Sequence, residues 1–171
     1  MTSYTYASNR PLDATDPLGL LEVLIWHQTK GRGGDAFGHA AIQLDNGRYI
    51  SWWPNEDRTA KISDVSPLNN VYRAPAYPDR LYRDDASAEG RPPDARIRID
   101  GLDERAIEQW WDDFRRNNDW ATFGWNCSSV VSQALNVGNG YVDYGYPGAI
   151  TPAAAEAKAR LFQRFLGPRG R

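Results

Sequence analysis

The chain has 171 residues, 41% of them hydrophobic and seven of them Trp, which is one domain's worth of sequence with enough apolar material for a real core. A formal net charge of −2 gives no basic footprint for nucleic acid, and no apolar run approaches the about 20 residues of a membrane span. The single cysteine, Cys127, excludes an intramolecular disulfide and a Cys-built zinc site, leaving one thiol and two imidazoles, His27 and His39, as reactive candidates.

The first twenty residues are polar and turn-rich and lack the charged-then-apolar pattern of a secretion signal. The stretch from Pro11 to Leu20 places Pro11, Asp16, Pro17, Gly19 and Leu20 in the spacing Pro-x4-Asp-Pro-x-Gly-Leu. That pattern resembles the signature closing the shell of Rhs-type polymorphic toxins, and Tyr4 to Asn9 resembles the last tyrosine-rich shell repeat. The resemblance implies self-cleavage between Leu20 and Leu21. Residues 1–20 would be a shell tail and 21–171 a released toxin domain, delivered into a target bacterium and blocked in the producer by an immunity protein.

From Leu21 to His27 the sequence is mostly apolar and predicts a strand covered on both faces. A Gly-rich loop, Gly31 to Gly34, leads to a second strand over Phe37–Leu44, and Asp45-Asn46-Gly47 turns it into a third over Arg48–Trp53. A three-residue turn with Gly47 left-handed pairs Ile42 with Ile50. That register sorts Ala40, Ile42, Ile50 and Trp52 onto one face and His39, Ala41, Gln43, Tyr49, Ser51 and Trp53 onto the other. Residues 54–94 read as a long irregular excursion with short strands such as Asn70–Arg73, and the charged stretch 79–98 most simply as a solvated loop, with a lid or a surface gripped by an inhibitor as the alternatives. Ala95 to Ile99 alternates as a half-buried strand.

Three helices follow. Asp103 caps the first, whose Ala106, Ile107, Trp110, Trp111 and Phe114 form one stripe. Asn126 caps the second, which ends at Gly138, and the third runs from Pro152 to Leu166. Strands first and helices after predict an α+β fold with an antiparallel sheet packed on helices.

Cys127 then stands in the first helical turn, where free N–H groups and the helix dipole favour a thiolate and supply donors to an oxyanion. The alternative is that it is one more small apolar residue on the face of Val130, Val131, Ala134 and Leu135. His39 is the candidate general base, with Ser51 or Gln43 to orient it. His27 reads as structural. Trp110 and Trp111 read as core, whereas Trp120, Phe123 and Trp125 either pack or wall a groove.

Gly38-His39-Ala40-Ala41-Ile42, then Tyr49-Ile50-Ser51, then Asn126-Cys127-Ser128-Ser129-Val130 resembles the permuted NlpC-type papain-like superfamily, which includes lecithin retinol acyltransferase and the HRAS-like phospholipases. There the His strand precedes the Cys helix. The resemblance implies Cys127 as nucleophile, His39 as base and Ser51 at the place of a second His twelve positions on. Asn126 and the Cys127 N–H are implied as oxyanion donors, with Gln43 in support. It further implies a Cys–His acyl hydrolase or acyltransferase acting first on membrane phospholipids, needing no metal or organic cofactor. Cleavage of peptidoglycan stem peptides, protein proteolysis or deamidation, and a non-catalytic binding module are the alternatives.

Overall fold

The structure is a computed structural model, and it describes residues 18–28, 38–54, 73–74, 76–77, 80–121, 124–141 and 149–166. Within them the chain forms an antiparallel sheet and four helices, an α+β arrangement. Strands β1 (Leu18–Trp26), β2 (His39–Gln43) and β3 (Tyr49–Ser51) are followed by the two-residue strands β4 (Trp53–Pro54), β5 (Arg73–Ala74) and β6 (Ala76–Tyr77). Helix α1 (Tyr82–Glu89), strand β7 (Ala95–Asp103), helix α2 (Glu104–Asn117), strand β8 (Trp120–Ala121) and helices α3 (Cys127–Gly138) and α4 (Pro152–Leu166) complete it. The main sheet runs β3-β2-β1-β7, while β4 pairs with β6 and β5 with β8 in two small ribbons.

β1 is buried on both faces, as its unbroken apolar run requires. Leu21, Val23 and Ile25 enter one core, and Leu24 and Trp26 enter another on the opposite side. Its pairing with β7 shifts register between Gly19 and Leu21, leaving Leu20 46% exposed at the irregularity. The junction after Leu20 therefore lies inside a paired strand, whereas Pro11, Asp16 and Pro17 fall outside the described residues, as does the Gly31–Gly34 loop.

The β2–β3 hairpin closes with Ile42 opposite Ile50 and Gly47 at φ +88°, the three-residue turn its sequence favours. Ala40, Ile42, Ile50 and Trp52 point into the larger core, and Ala41 and Tyr49 into the smaller one. In the larger core Trp52 meets Trp111 edge-on at 5.5 Å and Phe114 at 5.1 Å between ring centroids. Helix α2 starts where Asp103 accepts from the Ala106 N–H at 2.9 Å, and it buries Ile107, Trp111 and Phe114. α4 lies on β7 and α3, and its fully buried Ala155 and Ala159 allow a close approach.

The other face corrects an expectation. Part of the stretch that reads as a solvated loop is helix α1, which starts where the Leu81 N–H donates to Asp84 Oδ2 at 2.8 Å and ends at a left-handed Gly90. Tyr82 at its head packs on Leu24, Trp26, Ala41 and Tyr49. Its buried residues are two acids, Asp85 and Glu89, so it carries no apolar stripe to announce it.

Candidate active site

Asn126 fixes the start of α3: its side chain accepts from the Ser129 N–H at 2.9 Å, and Ser129 Oγ accepts in return from the Asn126 N–H at 2.8 Å. The segment leading into it is tied to the sheet, because Trp52 Nε1 donates to the Trp125 carbonyl at 2.8 Å. Cys127 thus becomes the first residue of a helix whose Val130, Val131, Ala134 and Leu135 are sealed in the core. The residue as a whole is only half-buried, while its thiol is buried and accepts a hydrogen bond from the Ala40 N–H, which seats it beside the start of β2.

His39 opens β2. Gly38 before it adopts φ +71°, and a Cβ there would stand 2.4 Å from the Trp26 carbonyl oxygen, so only glycine brings the chain this close to the end of β1. The imidazole is fully buried, with Trp53 edge-on at 4.8 Å and Trp26 at 5.7 Å between centroids. Nε2 lies 3.0 Å from Asp85 Oδ2 and 3.0 Å from Ser51 Oγ. Nδ1 is buried without a hydrogen bond of regular geometry, and the thiol is the group that acts on the ring from outside the Asp85–Ser51 pair.

Asp85 is the residue that sequence reasoning missed. It is fully buried yet satisfied on both oxygens, with Tyr49 donating to Oδ2 at 2.7 Å and Arg80 Nε donating to Oδ1 at 2.6 Å. The Arg80 guanidinium stacks on Trp53 at 4.7 Å from the ring centroid, closing the network back onto the wall of His39. The available signals were local: Asp84 as an N-terminal cap partner and Gly90 as a stop, with Asp85 and the Ala-Ser-Ala-Glu of a short helix between them.

The electrostatics follow from this packing. Burial alone would push the His39 pKa down, but the facing Cys127 and the Asp85 carboxylate outweigh it and push it up to about 10. Burial pushes the Cys127 thiol up, and the His39 charge and hydrogen bonding with the Ala40 N–H more than reverse that, leaving it below its ordinary value. The Asp85 carboxyl is opposed by burial but held well below the usual carboxylate range by His39, Tyr49 and Ser51. Burial, reinforced by Asp85, keeps the Tyr49 phenol protonated as a donor far above its usual range. The shifts of both groups run toward a thiolate facing an imidazolium that is anchored by a carboxylate.

Of the residues expected at the site, the structure brings Cys127, His39 and Ser51 together. Gln43 shares their face but lies at the far end of β2, where its Nε2 donates to the Arg48 carbonyl at 3.4 Å. The Asn126 carboxamide is engaged in the cap, and its Nδ2 donates to the Ile150 carbonyl at 3.0 Å. Of the two implied oxyanion donors, the Cys127 N–H keeps the open first-turn position. His27 pairs through Nε2 with Glu156 at 2.8 Å, on the α4 side of β1. Among the described residues, no group of three or more His, Cys, Asp or Glu side chains is placed to hold a metal ion, and no helix is long and apolar enough to cross a membrane.

Comparison with protein-family models, curated proteins and solved structures returned no match for this chain.

Proposed function

We propose that residues 21–171 form a cysteine-dependent acyl hydrolase or acyltransferase of the permuted NlpC-type papain-like kind, released from an Rhs-type shell as an antibacterial toxin and acting on membrane phospholipid. The observation that carries the catalytic reading is the juxtaposition of Cys127, at a capped helix start, with a buried His39 whose far nitrogen is held 3.0 Å from Asp85. The strand-borne His preceding the helix-borne Cys, on an antiparallel sheet, supports the permuted papain-like architecture.

In this reading the Cys127 thiolate attacks the carbonyl carbon of an ester, forming the C–S bond while the carbonyl electron pair moves onto oxygen. The first-turn N–H of Cys127 faces that oxyanion. As the pair returns, the C–O bond breaks and the departing oxygen takes the proton from His39 Nδ1. His39 then removes a proton from water or an acceptor hydroxyl, which attacks the thioester carbon and releases the thiolate. Asp85 and Ser51 hold Nε2 throughout, so that Nδ1 is the nitrogen turned to the reaction. The choice of phospholipid follows the resemblance to the lipid-acting branch. The toxin reading brings two partners, an immunity protein and the Rhs shell of the same precursor.

The test is lipid extraction and chromatography from cells producing residues 21–171, beside Cys127→Ala and His39→Ala. Lysophospholipid and free fatty acid made only by the intact pair is the expected result. Unchanged lipids with lysis would move the substrate to peptidoglycan, and toxicity surviving both substitutions would overturn the catalytic reading.

A further inference from the structure

α4 buries one side against β7 and α3 and leaves the other uncovered among the described residues. Along that outer side run Ala153, Ala157, Leu161 and Phe165, four residues apart, which with Ile150 just before the helix make an exposed apolar strip that curls gradually around it. Its large members are 37%, 50% and 68% exposed at Ile150, Leu161 and Phe165. At about 1.5 Å of rise per residue the helical part of the strip is about 18 Å long. Its head adjoins the candidate site, because the Ile150 carbonyl accepts from Asn126, the residue before the thiol.

Charge accompanies the strip. From residue 158 to the end of the sequence there are five Lys and Arg and no acid, against all twenty-two Asp and Glu in the remainder. On α4, Arg164 is exposed at the edge of the strip, Arg160 is paired with Glu156 at 2.7 Å, and Lys158 donates to Ser132 at 2.8 Å. Arg98 on β7, whose carbonyl accepts from Gln163 at 3.0 Å, adds a side chain that is 72% exposed. The one acid of α4, Glu156, is only 16% exposed and is already engaged by His27 and Arg160, while Arg98 pairs with Glu22 at 3.4 Å.

We propose that this outer face of α4 seats the protein on an anionic bilayer surface, with Leu161 and Phe165 entering the boundary between headgroups and acyl chains and Arg160 and Arg164 among the phosphates. An apolar strip flanked by cations is the pattern of a helix lying in the interface plane. Five side chains, two of them alanine, are few beside the roughly 20–30 residues a side of a stable protein interface. A helix lying flat brings the Ile150 segment, which Asn126 ties to the start of α3, closest to the lipid. That consequence for catalysis rests on the phospholipid reading above; the binding does not.

The experiment is cosedimentation of full-length Cys127→Ala protein, which binds without turning lipid over, with vesicles of phosphatidylcholine alone or mixed equally with phosphatidylglycerol. Binding to the mixed vesicles, weakened by salt, is expected. Leu161→Ser/Phe165→Ser should lower the bound fraction about fivefold or more, and Arg160→Gln/Arg164→Gln should erase the preference for anionic vesicles. Unchanged circular-dichroism melting shows that the substituted helix is folded. No binding, or binding that a folded Leu161→Ser/Phe165→Ser variant retains, would overturn the inference. So would a dimer that those substitutions dissociate, since a second copy would then cover the strip. Lipid hydrolysis without this binding would sink the docking surface alone, and binding without hydrolysis by the intact protein would sink the enzymatic reading alone.

Discussion

The two faces of the main sheet obey different physics. On one, Ile42, Ile50, Trp52, Ile97 and Ile99 meet α2, α3 and α4 in an apolar core of fully buried side chains. On the other, β2, β3 and α1 bury His39, Ser51 and Asp85 beside Trp26 and Tyr49. The first face stabilises by removing apolar surface from water. The second takes ionisable groups out of water, which costs stability unless each is paired, and here each has a partner: His39 with Asp85, and Asp85 with Tyr49 and Arg80. Under the proposed function, stability and chemistry are divided between the faces, and substitutions on each should fail in different ways.

The largest separation is expected between the nucleophile and the core. Cys127→Ala should abolish ester hydrolysis, and His39→Ala should lower it by about 10²–10⁴-fold, with near-native folding of Cys127→Ala by circular dichroism. Ile97→Ala, a core change on β7 with no tie to the start of α3, should instead cost about 2–5 kcal/mol in urea unfolding, while the thiol of the fraction that remains folded keeps its reactivity. Asp85 joins the two behaviours. Asp85→Ala leaves a buried imidazolium and Arg80 without their anion and should destabilise by about 3–5 kcal/mol. Asp85→Asn keeps the shape and should lower activity about tenfold or more, measured as kcat at the optimum.

The pH dependence carries a sign for each group. The Asp85 pKa is depressed on folding, so its contribution to stability is fully present above its unfolded value near 3.8 and is lost as the pH falls below it. Unfolding free energies between pH 6 and pH 3 should show that loss in the native protein and much less of it in Asp85→Asn. The His39 pKa is raised, so its contribution is fully present below 6.5 and is lost as the pH rises through about 10, where the activity profile should also fall. In Asp85→Asn that alkaline limb should move to lower pH.

The smallest effects sharpen the boundary of the site. Ser51→Ala should reduce activity by only a few-fold, because Asp85 still holds Nε2. Gln43→Ala, at the other end of β2, should leave kcat and KM unchanged. Removing residues 1–20 deletes the pairings Leu18↔Asp103 and Gly19↔Leu102 and keeps β1 from Leu21 onward, so activity should survive with a slight fall in Tm.

How much of this is legible in the sequence depends on what organises each part. Apolar periodicity and cap residues fix α2, α3 and α4, and Gly47 with the alternation around it fixes the hairpin and hence the approach of Ser51 to His39. The Asn126 cap is legible too, but satisfying the helix end occupies its carboxamide, so it is not free to project at an oxyanion. α1 is illegible by periodicity, because the residues it buries are Asp85 and Glu89 and its composition is that of a solvated segment. Asp85 stands 46 positions from His39, and no local rule connects them. Only the tertiary pairing of Asp85 with His39, Tyr49 and Arg80 makes that burial tolerable.

The most direct test of the central claim, a thiolate held by a carboxylate-anchored imidazolium, is the pH dependence of Cys127 alkylation by iodoacetamide, measured for the native protein, His39→Ala and Asp85→Asn. The account predicts rapid alkylation of the native thiol well below pH 8, and a rise to ordinary thiol behaviour in His39→Ala, with Asp85→Asn between them. A native thiol that titrates near its ordinary value, or one whose alkylation is indifferent to both substitutions, would contradict it.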